Sequence, residues 1–126
     1  MSLVLRIALD LVPAERGGRR RALADGDRAS LSFGRRRRGV EPVVHDAVIV
    51  LEGTDRLAPG ASGTARAWPL LPDELPRSLG DGDVFTLLEH DRIVARATLL
   101  ERREDPAPQP LRDLRAAKTR ALAARA

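Results

Sequence analysis

The chain has 126 residues, 22 basic and 18 acidic side chains for a net charge of +4, and no cysteine. That is the length of one domain, too short for a nucleotide-binding domain beside a second one, and the missing thiols remove disulfides, cysteine nucleophiles and cysteine metal sites together. Hydrophobic residues make up 43% of the chain, yet the aromatics are only Phe33, Phe85 and Trp68, so a core has to be built from Leu, Val, Ile and Ala.

Leu3, Leu5, Ile7, Leu9 and Leu11 alternate with Val4, Arg6, Ala8 and Asp10, the period-two pattern of a strand with one buried face. Pro13 stops it, and Glu15-Arg16-Gly17-Gly18-Arg19 reads as a loop turned by paired glycines. After the Asp25-Gly26-Asp27 turn a short strand ends at Leu31–Phe33, and Arg35, Arg36, Arg37 and Arg38 form a solvated loop because adjacent like charges repel. The β-branched run Val43–Leu51 predicts a strand buried on much of both faces. Thr64–Leu71 is the next strand, followed by a proline-rich connection to Leu79 and the turn Gly80-Asp81-Gly82-Asp83. Val84–Leu88 and Ile93–Leu100 are spaced as a hairpin around Glu89-His90-Asp91-Arg92. About six strands at regular intervals predict a sandwich or barrel over 1–103. Residues 104–110 are a proline-rich linker, and 111–126 a helical tail with Leu111, Leu114, Ala121 and Leu122 on one narrow stripe.

Charge falls in three blocks: +6 over residues 1–40, −6 over 41–101 and +4 over 102–126. The loop with Arg16, Arg19, Arg20 and Arg21 and the run Arg35 to Arg38 together contribute eight arginines, a candidate surface for nucleic-acid phosphates. With no Tyr and both Phe in strand patterns, any RNA contact is expected on the backbone and not on stacked bases. His45 and His90 stand beside no nucleophile, Asp81-Gly82-Asp83 lacks the later ligands of a calcium loop, and no Gly-rich loop ends in Lys-Ser/Thr. No catalytic residue, cofactor, metal or nucleotide is therefore expected. The opening Met1-Ser2-Leu3-Val4-Leu5-Arg6 is not a basic leader before an apolar stretch, and no segment nears the roughly 20 apolar residues of a membrane helix. The expectation is a soluble cytoplasmic protein without a membrane partner.

Ile7–Arg19 with its Glu-Arg-Gly-Gly-Arg turn, Gly26-Asp27-Arg28 leading into Leu31-Ser32-Phe33, Pro59-Gly60, and Asp83–Glu89 with Arg92-Ile93-Val94 occur in an order that resembles the third domain of elongation factor Tu and related translational GTPases, across nearly all of 3–101. The resemblance implies an all-β fold, a six-stranded antiparallel closed barrel of the translation-protein type. In that family the barrel packs on a GTPase domain and helps hold aminoacyl-tRNA. By position Arg19 and Glu89 match its tRNA-side loops. The chain departs from the family at Asp27, Ala29, His90, Asp91 and Ala95.

Two kinds of binding module fit these features. One is a protein-interaction or self-association module using the barrel or the tail stripe of Leu111, Leu114 and Leu122. The other is a tRNA-like backbone binder using the basic loops. The few aromatics, the altered motifs and the acidic middle block favour the first, and a hydrolytic enzyme ranks below both.

Overall fold

A computed structural model of the chain describes residues 1–34, 39 and 43–124. The strands are β1 (Ser2–Leu11), β2 (Leu23–Ala24), β3 (Arg28–Ser32), β4 (Val44–Leu51), β5 (Arg56–Leu57), β6 (Ser62–Pro69), β7 (Val84–Glu89) and β8 (Arg92–Asp105), followed by one helix, α1 (Gln109–Ala124). Six of them close an antiparallel barrel in the order β1-β6-β4-β3-β7-β8, while β2 and β5 pair separately. The expected class, a closed six-stranded antiparallel barrel with a C-terminal helix, is the one observed.

The alternation read in β1 is the reason the barrel closes. Leu5, Ile7, Leu9 and Leu11 point inward and are buried with Leu31, Ile49, Leu87 and Leu99, and Ala65, Ala67, Ala95 and Ala97 fill the same interior. Small residues on β6 and β8 opposite large ones on β1 let a narrow barrel pack without a lumen. The 70–83 connection plugs one end with Leu75 and Leu79, and Phe85 stacks on Phe33 with ring centroids 4.8 Å apart.

Boundaries differ from expectation where pairing partners extend a strand. β3 starts at Arg28, before the expected Leu31, because the Asp25-Gly26-Asp27 turn is tied to β4: the Gly26 N–H donates to Ile49 O and the Ile49 N–H to Asp27 O, both at 2.8 Å. β8 runs past Leu100 to Asp105 because Ser2–Arg6 of β1 remains available to it, with a bulge at Arg6/Ile7 absorbing one residue. The connection to the helix therefore shrinks to Pro106–Pro108, shorter than the expected 104–110. The expectation for 43–51 holds in part: Val48, on the outer face of β4, is buried, but Val44 is 43% exposed.

What buries Val48 is α1. Leu111 is fully buried in a cluster with Val4, Val48, Trp68 and Leu70, joined by half-buried Ala107, Leu114 and Val50. The helix thus lies across the outer face of β1, β6 and β4. No helix among the described residues is long and apolar enough to cross a membrane.

Candidate interaction surfaces

The basic loop after β1 is shaped by its glycines. A single helical turn at Ala14–Arg16 ends at Gly17, whose φ of +91° suits a residue without Cβ. Gly18 passes so close to the chain that a Cβ there would sit 2.0 Å from Val12 O, and its N–H donates to Pro13 O at 3.0 Å. Only glycine fits that approach.

The turn delivers Arg19 into an ion-pair node. Its Nη2 donates to Asp27 Oδ2 at 3.1 Å and to Ala22 O at 3.4 Å, its Nε to Arg21 O at 3.3 Å, and its Nη1 to the Glu89 carboxylate. Asp27 also accepts the Ala24 N–H at 2.9 Å. The Arg19 side chain is 16% exposed. It clamps three segments: the 12–22 loop, the 25–27 turn and the β7–β8 hairpin.

Arg19 and Glu89, the two positions expected to face nucleic acid, are therefore joined to each other within the chain. Two carboxylates and two carbonyls take four of the five guanidinium N–H donors and leave one, on Nη1. Arg16, Arg20 and Arg21 around it are exposed and form no ion pair among the described residues. Arg35, Arg36, Arg37 and Arg38 lie outside the described residues.

At the hairpin, Glu89 pairs with Arg92 and leaves the two-residue turn His90-Asp91, with φ of +50° and +64°. Two positive φ values define the turn whose twist matches antiparallel strands. His90 is therefore a turn residue. His45 stacks on Phe33 at 5.5 Å. Among the described residues no group of three His, Asp or Glu comes together as a metal site.

The second surface lies where α1 crosses the barrel. Three turns of helix separate Leu111 from Leu122, which returns the side chain to nearly the same direction. Their surroundings are opposite: Leu111 is fully buried, Leu122 is 67% exposed. Arg115 marks the edge of docking, donating from Nη1 to Ser2 Oγ at 2.9 Å and from Nη2 to Pro69 O at 3.2 Å. From Ala116 to Ala124 every residue is exposed.

The tail stripe expected to reach a partner is therefore divided. Leu111 and Leu114 are spent within the chain, because the outer face of β1, β6 and β4 carries its own apolar cluster, and Leu122 alone stays free. Trp68 and Val48 as a landing face were not foreseen; the signal was present in their outward register opposite inward Ala67 and Ile49. Beside the helix, a cleft of about 150 Å³ opens between Lys118 and the barrel, lined by Val44, His45, Asp46, Leu70, Leu71 and Glu74. Leu71 is 56% exposed on its rim.

On the same outer wall, Arg6 Nε donates to Glu52 at 2.8 Å and Arg66 Nε lies 3.8 Å from the same carboxylate. The Arg6 hydrogen bond, aided by both positive charges and opposed by partial burial, holds the Glu52 carboxyl below its ordinary 4.5. Searches for a matching protein family and for a similar curated protein both found none.

Proposed function

We propose that the chain is a non-catalytic, cytoplasmic binding module that recognises protein through the cleft between α1 and the barrel. The observation that carries this reading is the exposed apolar rim of Val44 and Leu71 facing a helix half that stands free from Ala116 onward. Apolar side chains gathered around a concavity with a few charges at its edge are the chemistry of an interface. The cleft is too small for a typical small-molecule substrate and suits one or two inserted side chains. The resemblance to the third domain of elongation factor Tu agrees with such a role, since that barrel works by contact with another domain.

An RNA-backbone role is the second reading, favoured by one observation. Arg16, Arg20 and Arg21 project from a loop that Arg19 ties to the 25–27 turn and the β7–β8 hairpin, so the backbone that carries them is ordered before an anion arrives.

One comparison separates the two. Proteins captured by the immobilised chain are compared with those captured by Leu71→Asp and by an Arg16, Arg20 and Arg21 to Gln variant. In parallel, bulk tRNA is titrated at about 50 and about 200 mM salt, where phosphate contacts differ strongly. Capture lost with Leu71→Asp alone supports the cleft; salt-sensitive tRNA binding lost with the arginine variant, and no Leu71-dependent capture, overturns it in favour of RNA.

A further inference from the structure

Resting on that reading, we propose that the occupant of the α1 cleft is a second copy of this chain, each protomer inserting Leu122 of its free helix half against Val44 and Leu71 of the other. Three observations on the same surface carry it.

The first is direction. Leu111, Arg115, Lys118 and Leu122 recur at the helical spacing of one stripe. The stripe faces the barrel at Leu111, and Lys118 lines the cleft with Val44, Leu70 and Leu71. Leu122 lies one turn, about 6 Å, beyond Lys118 on that side. It is 67% exposed and does not line its own chain's cleft, so it is available to a second copy.

The second is charge. The free half of α1 has Lys118 and Arg120 and no acid, whereas the barrel side of the cleft carries Glu74, with Asp73 next in sequence, and Asp46, whose carboxylate is already held by Arg28 and Ser30. A basic helix segment and an acidic rim on one chain make the patch complementary to itself.

The third is symmetry. A two-fold axis near Lys118 sets the two free helix halves antiparallel, so that residue i of one meets residue j of the other and the reverse, as a closed dimer requires. Helix half and cleft then satisfy each other twice. The unsupported half-helix of Ala116–Ala124 gains the packing that short helices need in water. The patch is small, so the dimer belongs among weak interfaces, with half-association on the order of 10 μM.

Sedimentation velocity of the full chain from about 1 to about 300 μM tests this. Wild type is expected to move from monomer to dimer across that range. Leu122→Lys and Leu71→Glu each change an exposed residue, leave the circular dichroism spectrum unchanged, and weaken association at least about tenfold, as loss of a central apolar contact does. A 1:1 mixture of the two variants is expected to regain association, because the introduced lysine of one protomer then meets the introduced glutamate of the other while the reciprocal Leu122–Leu71 contact is intact. Monomer at every concentration overturns the proposal, as does a dimer indifferent to both variants or a mixture no stronger than its components. A monomer that still captures another protein in a Leu71-dependent way overturns the second copy and leaves the protein-binding function standing.

Discussion

At the Arg19 loop the chain is held by polar groups that use each other up: one guanidinium donates four hydrogen bonds to three segments. At the α1 junction it is held by one fully buried leucine, and the same stripe runs on unsatisfied to Leu122. A node with four of its five donors engaged is rigid and has little left to offer a partner. A helix anchored at one end leaves apolar area at Leu122 and Leu71 uncovered. Of the described arginines in the loop that reads most like a binding loop, the fold engages Arg19 and leaves Arg16, Arg20 and Arg21 exposed, while the tail carries free apolar surface.

Substitutions along the α1 stripe produce the largest expected effect and can break this contrast. Leu111→Ala removes a fully buried side chain from the Val4, Val48, Trp68 and Leu70 cluster and is expected to cost about 2–4 kcal/mol. Urea unfolding reads the loss, and a red shift of Trp68 emission reports that the helix has lifted. Leu122→Ala, three turns on, is expected to change stability by under about 0.5 kcal/mol. Equal costs at the two positions would mean that the outer half of α1 is docked as well.

The node is tested next. Arg19→Met leaves Asp27 and Glu89 facing each other without their cation and is expected to cost about 2–3 kcal/mol in denaturant unfolding. Arg20→Met and Arg21→Met are expected to stay within about 0.5 kcal/mol, since both side chains are exposed. A cheap Arg19→Met would return that arginine to the list of groups free to bind an anion.

The contrast also marks what could be read in advance. The main strands were legible because alternation in β1 and the β-branched run in β4 report a buried face directly, whereas the choice of a closed barrel over a sandwich came from the resemblance to the elongation factor Tu domain. The 28–30 extension of β3 and the 101–105 extension of β8 were not, since both depend on backbone partners far away in sequence, Ile49 and Ser2–Arg6. Arg19 looks like its neighbours Arg20 and Arg21 in any composition argument. Only Gly18, which forces the chain past Val12 O, turns that one arginine inward. Docking of α1 was hidden for a related reason: Trp68 reads as one aromatic in a strand until pairing sets it beside Val48 and Val4 on the outer wall.

The β7–β8 turn sharpens the node. His90 and Asp91 both adopt positive φ, a conformation that Asn-Gly takes with less strain. Replacing the pair by Asn-Gly is expected to stabilise by about 0.5–1 kcal/mol, read as an increase in thermal midpoint. The gain is expected to persist in the Arg19→Met background if turn geometry and ion node act independently. A gain that disappears there would mean that the Arg19–Glu89 pair is what imposes the turn.

The smallest expected effect compares a half-buried ion cluster with a more exposed one. Glu52 sits between Arg6 and Arg66 on the outer wall, and the Arg6 hydrogen bond lowers its carboxyl below 4.5. A folded-state value below the unfolded one means that the carboxylate stabilises the fold above about pH 4.5 and that this contribution is lost as pH falls through the lowered value. After discounting for solvent, the contribution is about 0.5 kcal/mol. Glu52→Gln is expected to flatten the acid limb of the stability curve by that amount and to leave neutral-pH helicity unchanged. Raising salt to about 0.5 M is expected to erase the Glu52→Gln difference, because charges in contact with solvent are screened over a few ångströms. The Arg19→Met cost is expected to fall less in the same salt, since the Arg19 side chain is 16% exposed against 39% for Arg6. Equal screening of both would place Arg19 in solvent and dissolve the distinction between a consumed charge and an available one.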